Sequence, residues 1–124
     1  MNSFQSAQFS PLPPLLVACL CADWCGACRE YKPLFDSLAV KFPNVRFLWV
    51  DVEDEADLID PIEVEDFPTI LIAKDQKPLF FGTVLPHIET LERLILAAGR
   101  ESGSAMTLPS DIVNLTAKLN KLNQ

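Results

Sequence analysis

Residues 15–35 read LLVACLCADWCGACREYKPLF, and the change of period inside this stretch decides the fold. Leu15 to Ala22 is a continuous apolar run, which suits a strand buried on both faces. Beyond Trp24, residues Ala27, Tyr31, Leu34, Phe35, Leu38, Ala39 and Phe42 recur at spacings of three and four, the stripe of an amphipathic helix. Pro33 lies inside that stripe. It removes a backbone donor and crowds the preceding turn, so a kink is expected there. Pro43-Asn44 ends the helix. All four cysteines of the chain, Cys19, Cys21, Cys25 and Cys28, fall within this one strand-to-helix corner.

Working outward, Val45 to Val52 is a second strand-like run rich in β-branched and aromatic residues. Residues 53–66 are acidic, with Leu58, Ile59 and Ile62 spaced like one face of a helix. Thr69 to Ala73 and Leu79 to Phe81 flank a turn at residues 74–77, which predicts a hairpin. Ile88, Leu91, Leu94, Ile95 and Ala98 mark a further helix, with Gly99 as its expected stop. Residues 1–14 form a polar, then proline-rich lead-in, residues 15–99 one domain, and residues 100–109 a linker. Residues 110–124 hold a C-terminal amphipathic helix with Ser110 as its cap and Ile112, Leu115, Leu119 and Leu122 on one side. The order β-α-β-α-β-β-α implies an α/β domain with a central mixed sheet flanked by helices, plus an extra C-terminal helix.

Composition narrows the function. A chain of 124 residues is one domain that buries roughly two thirds of its unfolded surface. Its net charge of −7 speaks against nucleic acid or an anionic membrane surface as a partner. The longest apolar run is far short of the roughly 20 residues that span a membrane. No Lys or Arg precedes Arg29, so no positively charged segment of a secretory signal is expected. The chain is therefore read as cytoplasmic. In that compartment cysteines are more often catalytic or metal-binding than structural.

Cys25 and Cys28 form a C-x-x-C at the start of a helix, directly after a buried strand. A helix N-terminus carries partial positive charge and free N–H groups, which favour a thiolate. Two sulfurs at this spacing can close a ring across one turn, with the first exposed and the second half-buried. A zinc site would need Cys19 and Cys21 as further ligands. Those two share one face of a rigid strand, and four ligands from one strand and turn close a tetrahedron poorly. Otherwise Cys19 and Cys21 serve as small apolar core residues.

Trp24-Cys25-Gly26-Ala27-Cys28 resembles the active-site motif of the thioredoxin family. The likeness runs over about residues 15–98. Pro33 matches the family's kinking proline, Phe47 to Asp51 its central strand, Phe67-Pro68-Thr69 its cis-proline loop, and Gly82 the glycine after the hairpin. The resemblance implies a thioredoxin fold and a thiol–disulfide oxidoreductase. In it Cys25 attacks a substrate disulfide and Cys28 resolves the mixed disulfide. Trp24, Gly26, Ala27, Phe67 and Pro68 would form the substrate platform, with the Phe67-Pro68 backbone pairing to an extended substrate. No metal or organic cofactor is implied. The partners are protein disulfides and an electron-donating reductase or small thiol. The rival reading is a thioredoxin-like binding module with incidental cysteines, whose C-terminal helix docks a partner or a second copy.

The departures from the family are informative. Ala27 stands where proline is common, which removes a pre-organised helical turn. The family's frequent buried Asp falls at Cys19, and its lysine partner at Trp49. Replacing both leaves no unpaired buried charge, but Cys28 loses its usual proton acceptor. The segment before Leu15 looks short for the family's first strand and helix. His87, the one histidine, is expected to be an exposed residue at a helix start. The nine carboxylates from Asp51 to Asp66 read as a solvated face. Glu65 and Asp66, just before Phe67-Pro68, would disfavour acidic partners.

Overall fold

The computed structural model describes residues 15–84, 87–100 and 108–122. The lead-in and most of the linker lie outside the described residues. The elements are β1 (Leu15–Cys21), α1 (Gly26–Lys41), β2 (Val45–Asp51), α2 (Ala56–Ile59), β3 (Thr69–Lys74), β4 (Lys77–Thr83), α3 (Ile88–Arg100) and α4 (Ser110–Asn120). The strands form one mixed sheet in the order β2-β1-β3-β4. β1 pairs parallel with β2 and antiparallel with β3, so it is interior, and all seven of its residues are buried. That burial is why its sequence is a continuous apolar run. β3 and β4 form the expected hairpin. Its turn holds Asp75 and Gln76 at φ 51° and 69°, the left-handed conformations that match strand twist in a two-residue loop.

Alternation along β1 divides the core. Leu15, Val17, Cys19 and Cys21 join Cys28, Tyr31, Phe35 and Leu38 of α1 and Leu91, Ile95 and Ala98 of α3. Leu16, Ala18 and Leu20 join Leu48, Val50, Ile59, Leu71, Ala73 and Ile112, Leu115 and Leu119 of α4. An 11-residue helix is marginal alone in water, so α4 owes its order to this packing. Burying its three apolar residues contributes roughly 1.5–3 kcal/mol each. Polar bonds fix its end. The Arg46 guanidinium donates to the carbonyls of Asn120 and Leu122. Lys118 Nζ donates to the carbonyls of Leu58 and Asp60 at 3.3 and 3.4 Å, where cations suit the C-terminal end of α2.

Three expectations need correction. The acidic segment forms only the four-residue α2. Asp60 precedes Pro61 and takes φ −52°, ψ 138°, since a following proline disfavours the helical conformation. Gly99 does not stop α3, which runs to Arg100; its carbonyl accepts a bond from Lys74 Nζ at 3.2 Å. Ser110 is the first helical residue of α4 and not its cap. Pro109 holds the cap position, and no side chain bonds there.

Candidate active site

The site is built at the corner between β1 and α1. The chain turns through Ala22–Asp23–Trp24, closed by Cys25 N–H donating to the Ala22 carbonyl at 3.0 Å. Cys25 occupies the N-cap position of α1 with extended backbone (φ −84°, ψ 119°). Its carbonyl accepts from Arg29 N–H at 3.1 Å. Arg29 Nη1 reaches back to the Asp23 carbonyl at 2.7 Å and so braces the turn. Gly26 is exposed and Ala27 partly exposed on the first helical turn.

The second motif meets the first in space. Trp24 is 62% exposed, and its ring stands edge-on to Phe67 at 5.7 Å between centroids. Its indole N–H donates to Glu53 Oε2 at 2.8 Å. Phe67–Pro68 is a cis peptide, as the resemblance implied. Thr69 is anchored beside it by its hydroxyl donating to the Asp66 carbonyl at 2.6 Å. Trp24, Cys25, Gly26, Ala27 and Phe67 thus border one surface, with Pro68 buried behind it. Its rim is acidic, with Asp23, Glu53, Asp54, Glu65 and Asp66 exposed.

The four cysteines are ordered by depth. Cys25 is partly exposed, Cys28 is 1% exposed, and Cys21 and Cys19 are fully enclosed. Cys28 is joined in a disulfide to Cys21, across a Cα–Cα separation of 5.8 Å. Cys19 and Cys25 are free thiols, and the Cys19 and Cys21 sulfurs lie 3.8 Å apart. The core-filler reading therefore suits Cys19 but not Cys21. A four-thiolate zinc site would need Cys21 and Cys28 apart, and the structure bonds them together. The pairing had a signal in the sequence. Alternation in β1 turns Cys21 toward α1, and Cys28 opens the buried stripe that continues through Tyr31, Phe35 and Leu38.

Cys19 pairs across the sheet with Trp49, so the positions of the family's buried Asp and Lys are adjacent here as expected. Sequence reasoning missed a cation arriving from another element. Lys32 of α1 sets its Nζ 5.4 Å from the centre of the Trp49 ring while pairing with Asp36 at 2.9 Å. Burial pushes the Cys19 thiol strongly up, and the Lys32 charge opposes this only in part. Burial likewise raises Tyr31, and a charge on Cys19 would raise it further. The Tyr31 hydroxyl is buried without a hydrogen-bond partner among the described residues. A pocket of about 200 Å³ lined by Ala22, Asp23, Cys28, Arg29, Lys32 and Trp49 opens beside the disulfide. His87 is exposed immediately before the start of α3.

Residues 2–89 match the family profile described as Thioredoxin. The chain belongs to the thioredoxin family. Similar curated proteins include the thioredoxin of Sus scrofa, 43% identical over 72 residues that span 58% of this chain and 69% of that protein. A thioredoxin H-type from Picea mariana is 38% identical over 90 residues, 72% of this chain and 71% of that protein. Among solved structures, Fasciola hepatica thioredoxin superposes with a TM-score of 0.64 at 26% identity, covering 76% of this chain and 89% of the other. The fold is the thioredoxin fold, and thiol–disulfide oxidoreductase activity is the general chemistry of the family. Thioredoxins act on protein disulfides and are reduced by reductases. No described helix is long and apolar enough to cross a membrane.

Proposed function

We propose that this thioredoxin-family protein reduces protein disulfides in the cytoplasm, with Cys25 as the entry nucleophile and Cys28 as the resolving thiol. One observation carries the reading: of the four cysteines, Cys25 alone is reachable from solvent, at a helix N-cap beside Trp24 and the cis Phe67–Pro68 loop. A substrate disulfide meets Cys25 first. The Cys25 sulfur attacks one substrate sulfur, the other leaves as a thiol, and Cys28 then attacks Cys25 to free the second substrate thiol. Trp24, Gly26, Ala27 and Phe67 supply the contact surface, and the loop backbone at Pro68 pairs with an extended substrate strand. The acidic rim favours disulfides flanked by basic residues and disfavours acidic ones. Electrons come from a reductase or a small thiol, and the chemistry is carried by sulfur without a metal or organic cofactor.

The test is turnover of a model protein disulfide with dithiothreitol as donor. Cys25→Ser removes activity, and Cys28→Ser accumulates a mixed disulfide through Cys25. Equal turnover by wild type and Cys25→Ser would refute the enzyme reading in favour of a binding module. A reduction potential near about −270 mV marks a reductant, and one near about −120 mV an oxidant. The binding-module reading is weakened by α4, whose Ile112, Leu115 and Leu119 are committed to the domain's own core.

A further inference from the structure

The scheme above uses two cysteines, yet Cys28 is bonded to a third. We propose that Cys21 is a redox-active residue of this site: a buried second resolving thiol that takes Cys28 out of a Cys25–Cys28 disulfide and returns Cys25 as a free thiol.

Geometry places Cys28 between two partners. Cys25 lies three residues earlier on the helix start, a spacing that puts side chains on neighbouring positions of one face. Cys21 ends β1 on the face that receives α1. Its Cα lies 5.8 Å from that of Cys28, inside the span of about 4.4–6.8 Å that a disulfide bridges without backbone movement. Cys28 can hold one of these partners at a time. The depth order then decides the route. With Cys21 and Cys28 enclosed, an external disulfide or thiol reaches neither, so oxidising equivalents enter and leave through Cys25.

The exchange balances without an added oxidant. The Cys21 sulfur attacks the Cys28 sulfur, the Cys21–Cys28 bond forms, and the Cys25–Cys28 bond breaks. Cys25 departs as a thiolate into a partly exposed position where water solvates it, and it takes up a proton equivalent to the one Cys21 sheds. One disulfide replaces another and no net electrons move. Reversal, by Cys25 attacking Cys28, regenerates the accessible disulfide for an electron donor. The oxidised protein thereby stores its oxidising equivalent in the core while its entry thiol stays open, unlike a two-cysteine site that closes when oxidised.

The inference rests on Cys25 as entry thiol, and its test separates the two readings. The full chain is oxidised with a small disulfide, quenched in acid, alkylated and mapped by mass spectrometry. Wild type is expected to show a Cys21–Cys28 linkage, with Cys25 alkylated in the native oxidised state. Cys21→Ser is expected to show Cys25–Cys28, with Cys25 protected by at least about tenfold in labelling rate, since a bonded sulfur is no nucleophile. Should Cys21→Ser fail to fold, Cys21→Val repeats the comparison, and the wild-type map alone still decides. Oxidised wild type holding only Cys25–Cys28, with Cys21 recovered as a thiol, would overturn the inference. A Cys21–Cys28 linkage in a chain that fails to reduce a protein disulfide would leave the inference standing and remove the reductase reading instead.

Discussion

From β1, Leu15, Val17, Cys19 and Cys21 face α1 and α3, while Leu16, Ala18 and Leu20 face α2 and α4. The two cores share one strand but differ in kind. The second is almost wholly aliphatic, and its buried hydroxyls, on Thr116 and Thr69, are satisfied by the Ile112 carbonyl at 2.8 Å and the Asp66 carbonyl at 2.6 Å. The first holds three cysteines, a tyrosine hydroxyl with no hydrogen-bond partner among the described residues, and a nearby lysine. A group whose neighbours must exchange bonds or protons cannot be locked into fixed partners, whereas a core that only stabilises gains from full satisfaction. The comparison therefore assigns chemistry to the first face and stability to the second, and substitutions can test that division.

The largest effect belongs to the aliphatic face. Leu115 and Leu119 are 1% and 0% exposed, and truncating either to Ala should cost about 2–5 kcal/mol through lost transfer energy and a cavity. Chemical denaturation checks the cost. Native-state alkylation of Cys25 should keep its wild-type rate in the folded fraction. A changed Cys25 rate with little loss of stability would break the division between faces.

The next effect falls on the cysteine face. Cys19→Ala should leave disulfide reduction largely intact and Cys19 itself should resist alkylation, because burial holds it protonated. Cys19→Asp should cost about 1–3 kcal/mol or more by burying a carboxylate opposite Trp49, which offers it no charge partner. The pH dependence has a definite sign. A folded thiol raised above its ordinary value of 9.0 contributes stability that is present below that value and is lost as pH rises toward the folded value. Wild type should therefore lose stability in alkali, and Cys19→Ala should lose less. Fast labelling of Cys19 at neutral pH would remove it from the core.

Much of this division was legible in the sequence. The apolar run of β1 and the helical stripe of α1 follow from a period, whereas the cis-proline loop and the place of Cys19 opposite Trp49 were implied by the resemblance to the thioredoxin family. What escaped was non-local or competitive. The helix expected over residues 53–66 loses to Pro61, whose steric demand on Asp60 outweighs the spacing of Leu58, Ile59 and Ile62. Gly99 stays helical because a single glycine costs only about 1 kcal/mol in a helix. The Cys21–Cys28 bond needed both the strand alternation and the helix stripe together, whereas the C-x-x-C spacing alone points to Cys25. Lys32 could be placed over Trp49 only once α1 was docked on the sheet.

A smaller effect probes that lysine. Its ion pair with Asp36 is exposed and its contact with Trp49 is partial, each worth about 1 kcal/mol or less. Lys32→Met should therefore lower stability slightly. It should also remove the cation that, among the described residues, favours a Cys19 thiolate, so the alkaline loss of stability should extend to higher pH. An unchanged alkaline limb would show that Lys32 acts only as surface packing over Trp49.

The smallest effects lie at the rim where both faces end. Asp23 is raised chiefly by the charge of Asp51, with smaller contributions from desolvation, a hydrogen bond to Asp51, and Asp54 and Glu53. Asp51 is lowered chiefly by the Asp54 N–H, at 3.0 Å from its Oδ1, with Glu53 N–H at 2.9 Å adding to it. The two carboxylates should thus act with opposite signs. A raised carboxylate loses its stabilising contribution as pH rises through its folded value, so Asp23→Asn should be slightly more stable than wild type at neutral pH and equal to it in acid. A lowered carboxylate contributes above the ordinary range and loses that contribution as pH falls, so Asp51→Asn should be less stable at neutral pH and converge with wild type in acid. Thermal melts from pH 3 to pH 7 (about the carboxylate range and above) resolve the pair. Shifts of the same sign in both variants would mean that the rim responds to total negative charge and not to the specific bonds that hold the Asp51 turn.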